Sequence, residues 1–174
     1  GWFLASTFWV SHALIVSAPS LWFLTPFMAL ALAIILAVFW AVAAAISWLP
    51  NQSAAVRLLC LLAVFGVIEW TRGFVASGFP WSLMGGIFAV NLSSLQMASI
   101  IGVYGLTLLA FGCVIAPLLW VLSVRRLALV FLMLPVLGTL WGNVRLDSQQ
   151  DVPTAMAPVV RLVQPAVPQQ DKWN

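Results

Sequence analysis

Groups able to do covalent or proton-transfer chemistry are few in this chain: two cysteines, one histidine and four carboxylates among 174 residues. Cys60 and Cys113 each fall within runs of Leu, Val, Ile and Phe, surroundings that leave a thiol inert rather than nucleophilic. Two isolated cysteines supply neither a disulfide framework nor a metal cluster, and no Gly-rich phosphate loop accompanies them. His12 reads as an interface histidine rather than a proton-transfer group. That leaves Glu69 and Arg72 at the end of an apolar run, three residues apart, so that on a helix they share a face and can pair. Ionisable residues at membrane depth are costly and are kept for a purpose. Here the purpose is either an ion pair that pins the helix end or a charged contact that guides lipid head groups. No catalytic residue, metal ligand or cofactor site is expected among these positions.

The elements that must position Glu69 and Arg72 lie in a bilayer. The hydrophobic share is 64% and the charged share 6%, with a mean hydropathy of +1.11, far from the roughly half-apolar, quarter-charged make-up of soluble domains. The apolar residues fall into about five blocks, each near the ~20 residues that cross a hydrocarbon core. These are 1–17, 27–49, 56–73, 93–122 and 127–143. The first, opening without a Met and preceded by no charged region, reads as the remainder of a longer helix rather than a signal peptide. In the fourth, Pro117 is expected to bend the helix, and the pairs Ala98 with Gly102 and Gly112 with Ala116 to allow close packing on a neighbour.

Alternating spans put Arg57, Arg125 and Arg126 on one side, which the positive-inside tendency makes cytoplasmic. The net charge of +3 is spread thinly and forms no nucleic-acid stripe. Several of the ten Trp, including Trp22, Trp48, Trp70, Trp81 and Trp141, stand near block ends as interface anchors do, while others must face the core. Residues 73–92 are apolar but interrupted by Gly78, Pro80, Gly85 and Gly86, so they read as a re-entrant or interfacial segment.

Past Asn143 the composition turns polar. Residues 144–158, with Pro153 and Pro158, read as a linker, and Val159, Val160, Arg161, Leu162, Val163 as a short buried strand. The expected architecture is an all-α polytopic membrane bundle (1–143), a linker (144–158), and the first strand of a second, α/β domain (159–174).

Four stretches in this order and spacing carry a resemblance: Glu69, Trp70, Thr71, Arg72, Gly73; then Gly78, Phe79, Pro80, Trp81; then Gly102, Val103, Tyr104, Gly105; and finally the stretch from Val163 through Gln164, Pro165 and Lys172 to Trp173. Together they resemble the bacterial apolipoprotein N-acyltransferase family, over essentially the whole chain. Pro165 departs from the glycine common there, which bears on local loop shape only.

The resemblance implies a multi-pass protein of the bacterial inner membrane whose truncated domain, nitrilase-like, begins at 159 and faces the periplasm. It implies an acyltransferase that moves an acyl chain from a phospholipid to the N-terminal diacylglyceryl-cysteine of a lipoprotein, through a Cys thioester assisted by a Glu base and an oxyanion-stabilising Lys. Those three residues belong to a part of the domain beyond 174, so residues 1–174 alone are expected to be inactive. The partners implied are the phospholipid donor, the diacylglyceryl apolipoprotein and the bilayer, with no nucleic acid. Candidate substrate or lipid contacts are Glu69, Arg72, Phe79, Pro80, Trp81 and Tyr104 in the bundle, with Gln164, Lys172 and Trp173 on the loop after the strand. Trp173 is the preferred pocket residue, its alternative a hydrophobic plug. Two other classes stand beside this one: a polytopic transporter or scaffold, and a membrane-anchored amidase of the nitrilase superfamily. Against them count the position of Glu69 and Arg72 near a helix end and the number of spans, since an anchor needs only one.

Overall fold

The computed structural model describes residues 1–48, 50–75 and 78–149, and every regular element among them is helical. Helix α1 (Trp2–Thr7) passes through a 3-10 turn, Phe8–Ser11, into α2 (His12–Ser17). A second 3-10 stretch, Pro19–Leu24, leads into α3 (Thr25–Ser47), which is followed by α4 (Ala54–Arg72). The segment after α4 contains a 3-10 helix, Met84–Val90, and the short α5 (Leu92–Leu95). Two long helices, α6 (Ala98–Val121) and α7 (Arg125–Gln149), complete the described fold.

Four helices are long and apolar enough to cross a membrane: Pro19–Ser47, Ala54–Arg72, Ala98–Val121 and Arg125–Ser148. Four of the about five expected spans are thus met among the described residues, and the fifth block is a shorter apolar helical segment, Trp2–Ser17. Residues 73–92 do not span, and their irregular backbone lies against the bundle, with the amide of Gly85 donating to Thr107 Oγ1 of α6 at 3.1 Å. That partner is what lets non-helical backbone exist at membrane level.

Local chemistry explains the boundaries. Pro26 sits in the first turn of α3, where its missing N–H costs nothing. Ser53 caps α4 by accepting from the amide of Val56 at 3.3 Å. The block 93–122 divides into α5 and α6, and the break inside α6 falls at Gly102 (φ +66°, ψ 177°) rather than at Pro117. A residue with a Cβ is strained at that φ, so the sequence breaks where it has glycine. Helix α7 runs six residues past Asn143 into the stretch expected to be linker, because its polar residues find partners: Asn143 with Ser93, Arg145 with Ser99, and Ser148 Oγ with the carbonyl of Arg145. The strand expected at 159–163, and Gln164, Lys172 and Trp173, lie outside the described residues.

Helix α6 is the centre of the packing. Its Leu106, Leu109 and Ala110 join Phe88 and Met97 in one buried cluster, and Ile115, Ala116 and Leu119 join Ala128 of α7 and Leu58, Leu59 and Leu62 of α4 in a second. A Cβ on Gly112 would run into the ring of Phe131, so this small residue gives α7 its close approach. The outer faces carry exposed Ile34, Ile35, Val67, Ile100, Val114, Val121 and Leu137, an apolar surface suited to lipid.

Candidate functional site: an internal ion pair that holds a loop

Helix α4 brings Glu69 and Arg72 to its inner face in its last turn, and each is only 1% exposed. The pair is bidentate: Arg72 Nη2 donates to Glu69 Oε2 at 2.7 Å and Arg72 Nε to Oε1 at 3.1 Å. Its other Nη1 donates to two loop carbonyls, Phe79 at 2.6 Å and Trp81 at 2.9 Å. Glu69 Oε1 also accepts from the indole N–H of Trp40, on α3, at 2.8 Å. The charges therefore cancel in place and the oxygens and nitrogens that carry them are hydrogen-bonded, the condition under which a buried pair is tolerated.

The same contacts fix the backbone beyond α4. The amide of Phe79 donates to the carbonyl of Arg72 at 3.1 Å, closing the loop that Arg72 grips from inside. Gly78 turns it with φ +78°, and a Cβ there would strike the carbonyl of Gly73. From the N-terminal segment the indole N–H of Trp2 donates to the carbonyl of Ser82 at 3.1 Å, and the ring of Trp9 stacks on Trp81 with centroids 5.0 Å apart. Phe3 lies under the guanidinium of Arg72, 5.4 Å from ring centroid to charge, and tilts against Trp40.

Of the sequence candidates, Glu69, Arg72, Phe79 and Trp81 thus form one connected cluster. Pro80 stands exposed between the last two, and the Tyr104 hydroxyl lies against Gly73 at the end of α4. Trp81 is half exposed, at 50%, so its ring is the part of the cluster that meets the surroundings. Three participants were not singled out by sequence reasoning: Trp40, Trp2 and Trp9. Trp40 had a signal, because a mid-span indole N–H needs a buried acceptor and Glu69 is a carboxylate in a neighbouring span. Trp2 and Trp9 had none.

No nucleophile stands near this cluster among the described residues. Cys113 Sγ contacts the carbonyl of Phe131 at 3.0 Å between α6 and α7, and Cys60 is half-buried on α4. His12 is exposed and edges onto Phe8. No group of three or more His, Cys, Asp or Glu is placed to hold a metal among the described residues. The arrangement does positional work: a saturated ion pair inside the bundle fixes a loop whose Trp81 ring stands half exposed.

These features define a polytopic helical membrane protein with an interfacial loop locked to its bundle. The chain belongs to the apolipoprotein N-acyltransferase family: the family model for the apolipoprotein N-acyltransferase N-terminal domain matches residues 1–116, which hold the whole clamp. Proteins named apolipoprotein N-acyltransferase, which is an acyltransferase activity, are similar to it along its length. That of Caulobacter vibrioides is 31% identical over 174 residues, covering 100% of this chain and 33% of that protein. That of Rhizobium rhizogenes is 36% identical over 181 residues with 100% and 33% covered, and that of Rickettsia prowazekii 32% identical over 183 residues with 100% and 35% covered. The chain thus spans about a third of the length of these curated relatives. No solved structure matches it.

Proposed function

We propose that residues 1–149 form the membrane-embedded part of an enzyme that moves an acyl chain from a phospholipid to the N-terminal diacylglyceryl-cysteine of a lipoprotein, in the bacterial inner membrane. The observation that carries this reading is the family match over 1–116. The ion-pair clamp within that stretch supports it, because it holds Phe79, Pro80 and Trp81 at the bilayer surface where both lipid-bearing substrates reside. In this role Glu69 and Arg72 position the loop, and Trp81, with Pro80 beside it, meets lipid.

The chemistry belongs to a nitrilase-like domain on the periplasmic side that begins near 159, with Gln164, Lys172 and Trp173 at its opening. A Cys thiolate there attacks the phospholipid ester, forming a thioester and releasing lysophospholipid. The lipoprotein's amine then attacks the thioester, forming the amide and returning the thiolate, with a Glu shuttling the protons and a Lys stabilising the oxyanion. Roughly 250 further residues, the size of such a domain plus a closing helix of about 20 apolar residues, would supply Glu, Lys and Cys in that order.

The test is acyl transfer by the protein expressed from its full reading frame, reconstituted with phospholipid and a diacylglyceryl peptide. Transfer is expected for the full protein and none for residues 1–174, since Cys60 and Cys113 are half-buried among apolar helix residues that leave a thiol inert. A full reading frame that lacks a further cysteine, or transfer by residues 1–174 alone, overturns the reading.

A further inference from the structure

A cleft of about 510 Å³ opens between α6 and α7, within the ~300–1,000 Å³ range of ligand-holding clefts. Its walls are apolar, made chiefly by Met97 just before α6, by Ile101 and Leu108 on α6 and by Leu134, Leu137 and Trp141 on α7. Ile101, Leu134 and Leu137 are exposed, so the cleft opens sideways toward lipid. Left empty, such a wall forfeits its dispersion contacts on one side.

Its length and its end say what fills it. From Phe131 to Trp141 the cleft follows α7 for about 15 Å, close to one leaflet of a ~30 Å core, with Phe131 at its deep end. A spanning helix would need the full depth and a width of about 10 Å. The shallow end, on the same side of the bundle as Arg72 and the loop 78–82, carries a cation. The guanidinium of Arg145 lies 5.2 Å from the centroid of Trp141 and donates to Ser99 Oγ, whose neighbour Ile100 also lines the cleft. Arg145 forms no ion pair among the described residues, and Asp147, two positions on, faces a different side of the helix.

We propose that the α6–α7 cleft holds one anionic phospholipid of that leaflet, its phosphate on Arg145 and one acyl chain lying along the cleft to Phe131. An apolar slot one leaflet deep with a guanidinium at its rim complements a charged head and a single chain, and Arg is the side chain suited to phosphate. None of the clamp residues lines the cleft and its occupation needs no acyl transfer, so it stands apart from the function proposed above.

The test uses phosphatidylglycerol bearing a photoactivatable group midway along one chain, added to the full-length protein in detergent, with labelled peptides identified by mass spectrometry. Labelling is expected on residues 97–109 and 131–141. A diacylglycerol with the same photoactivatable chain should label these peptides about tenfold less, as loss of a charge-assisted hydrogen bond implies. Arg145→Gln should weaken phosphatidylglycerol labelling by a similar factor, and Ile101→Trp, which fills the slot from its lipid-facing side, should abolish it. Equal labelling by the two lipids in the unaltered protein overturns the proposal, independently of how either variant folds. So does cross-linking of the cleft to another segment of the same protein in place of lipid.

Discussion

The two ends of α4 each carry an arginine, and the two do opposite things. Arg57, one turn into the helix, is half-buried and lies 4.4 Å from the ring centroid of Trp48, a residue 70% exposed at the end of α3. Arg72, in the last turn, is 1% exposed and spends its donors on Glu69 and two loop carbonyls. The residue type is the same and both stand near a helix end, so helix position alone does not decide the role. What differs is the acid at i−3: with Glu69 beside it the guanidinium can enter the bundle neutralised, whereas Arg57 extends along an interface tryptophan. The lesson is that the guanidinium carried fully into this bundle is the one whose counter-charge the same turn supplies.

The largest effect expected from this contrast is all-or-none. Because α3, α4, α6 and α7 alternate in direction, Ser53 lies at the Arg57 end of α4 and Gln149 follows the α7 turn that lies at the Arg72 end. Single cysteines at Ser53 and Gln149, in a background without Cys60 and Cys113, should label from opposite membrane faces, with Ser53 reached from the cytoplasm. Labelling of both from one face would break the comparison at its root.

Next in size is removal of Arg72. Arg72→Ala strands the Glu69 carboxylate inside the bundle and frees the carbonyls of Phe79 and Trp81, a loss of about 3–5 kcal/mol. The thermal midpoint of the full-length protein in detergent should fall well below that of the unaltered protein, and protease should cut within the loop 78–82. Glu69→Ala should behave similarly. Glu69→Gln should lie between, since its amide oxygen still accepts from Arg72 while its NH2 group faces the donors of Arg72 or Trp40. Identical, unaltered midpoints for both Glu69 variants would show that the pair does not hold the loop.

How much of this was legible in the sequence depends on whether the deciding contact was local. The Glu69–Arg72 pair was, because three-residue spacing on a helix fixes it. The spans were located by composition, and the interruption of 73–92 by Gly78, Pro80, Gly85 and Gly86 correctly argued against a spanning helix there. The misses share a cause. Asn143 looked like the end of its span and Arg145 like part of a linker, yet α7 continues through both because Ser93 and Ser99, 50 and 46 positions earlier, pair with them. A bend was expected at Pro117 and none at Gly102, yet Gly102 is where the backbone takes a φ that only glycine accepts cheaply. Trp40 offered an indole N–H in need of an acceptor, but its pairing with Glu69 bridges 29 residues and so was not singled out.

Trp40 gives a finer probe of the buried end. Trp40→Phe keeps a ring against Phe3 and Phe65 but removes the N–H that Glu69 Oε1 accepts. Hydrogen bonds to charged groups contribute about 1.5–3 kcal/mol, so this variant should lie below the unaltered protein yet above Arg72→Ala. Combined with Glu69→Gln, its effect should be less than additive, since both act on one network. Strict additivity would mean that Trp40 stabilises the bundle by ring packing alone.

The smallest effect belongs to the other end of the helix. Arg57→Ala removes a guanidinium from the ring of Trp48, a contact of about 0.5–1 kcal/mol at an exposed site. The side chain's stem also covers part of the apolar cleft formed with Leu58, Leu118 and Val121, so a small packing loss accompanies it. The thermal midpoint should shift by a fraction of the Arg72→Ala shift, and the loop 78–82, at the opposite end of α4, should keep its protease resistance. Arg57→Lys should recover part of the shift, because an ammonium also sits favourably over an indole face. If Arg57→Ala instead destabilises as much as Arg72→Ala, then burial with an adjacent acid is not what separates the two arginines, and the contrast between the ends of α4 has been drawn from the wrong contacts.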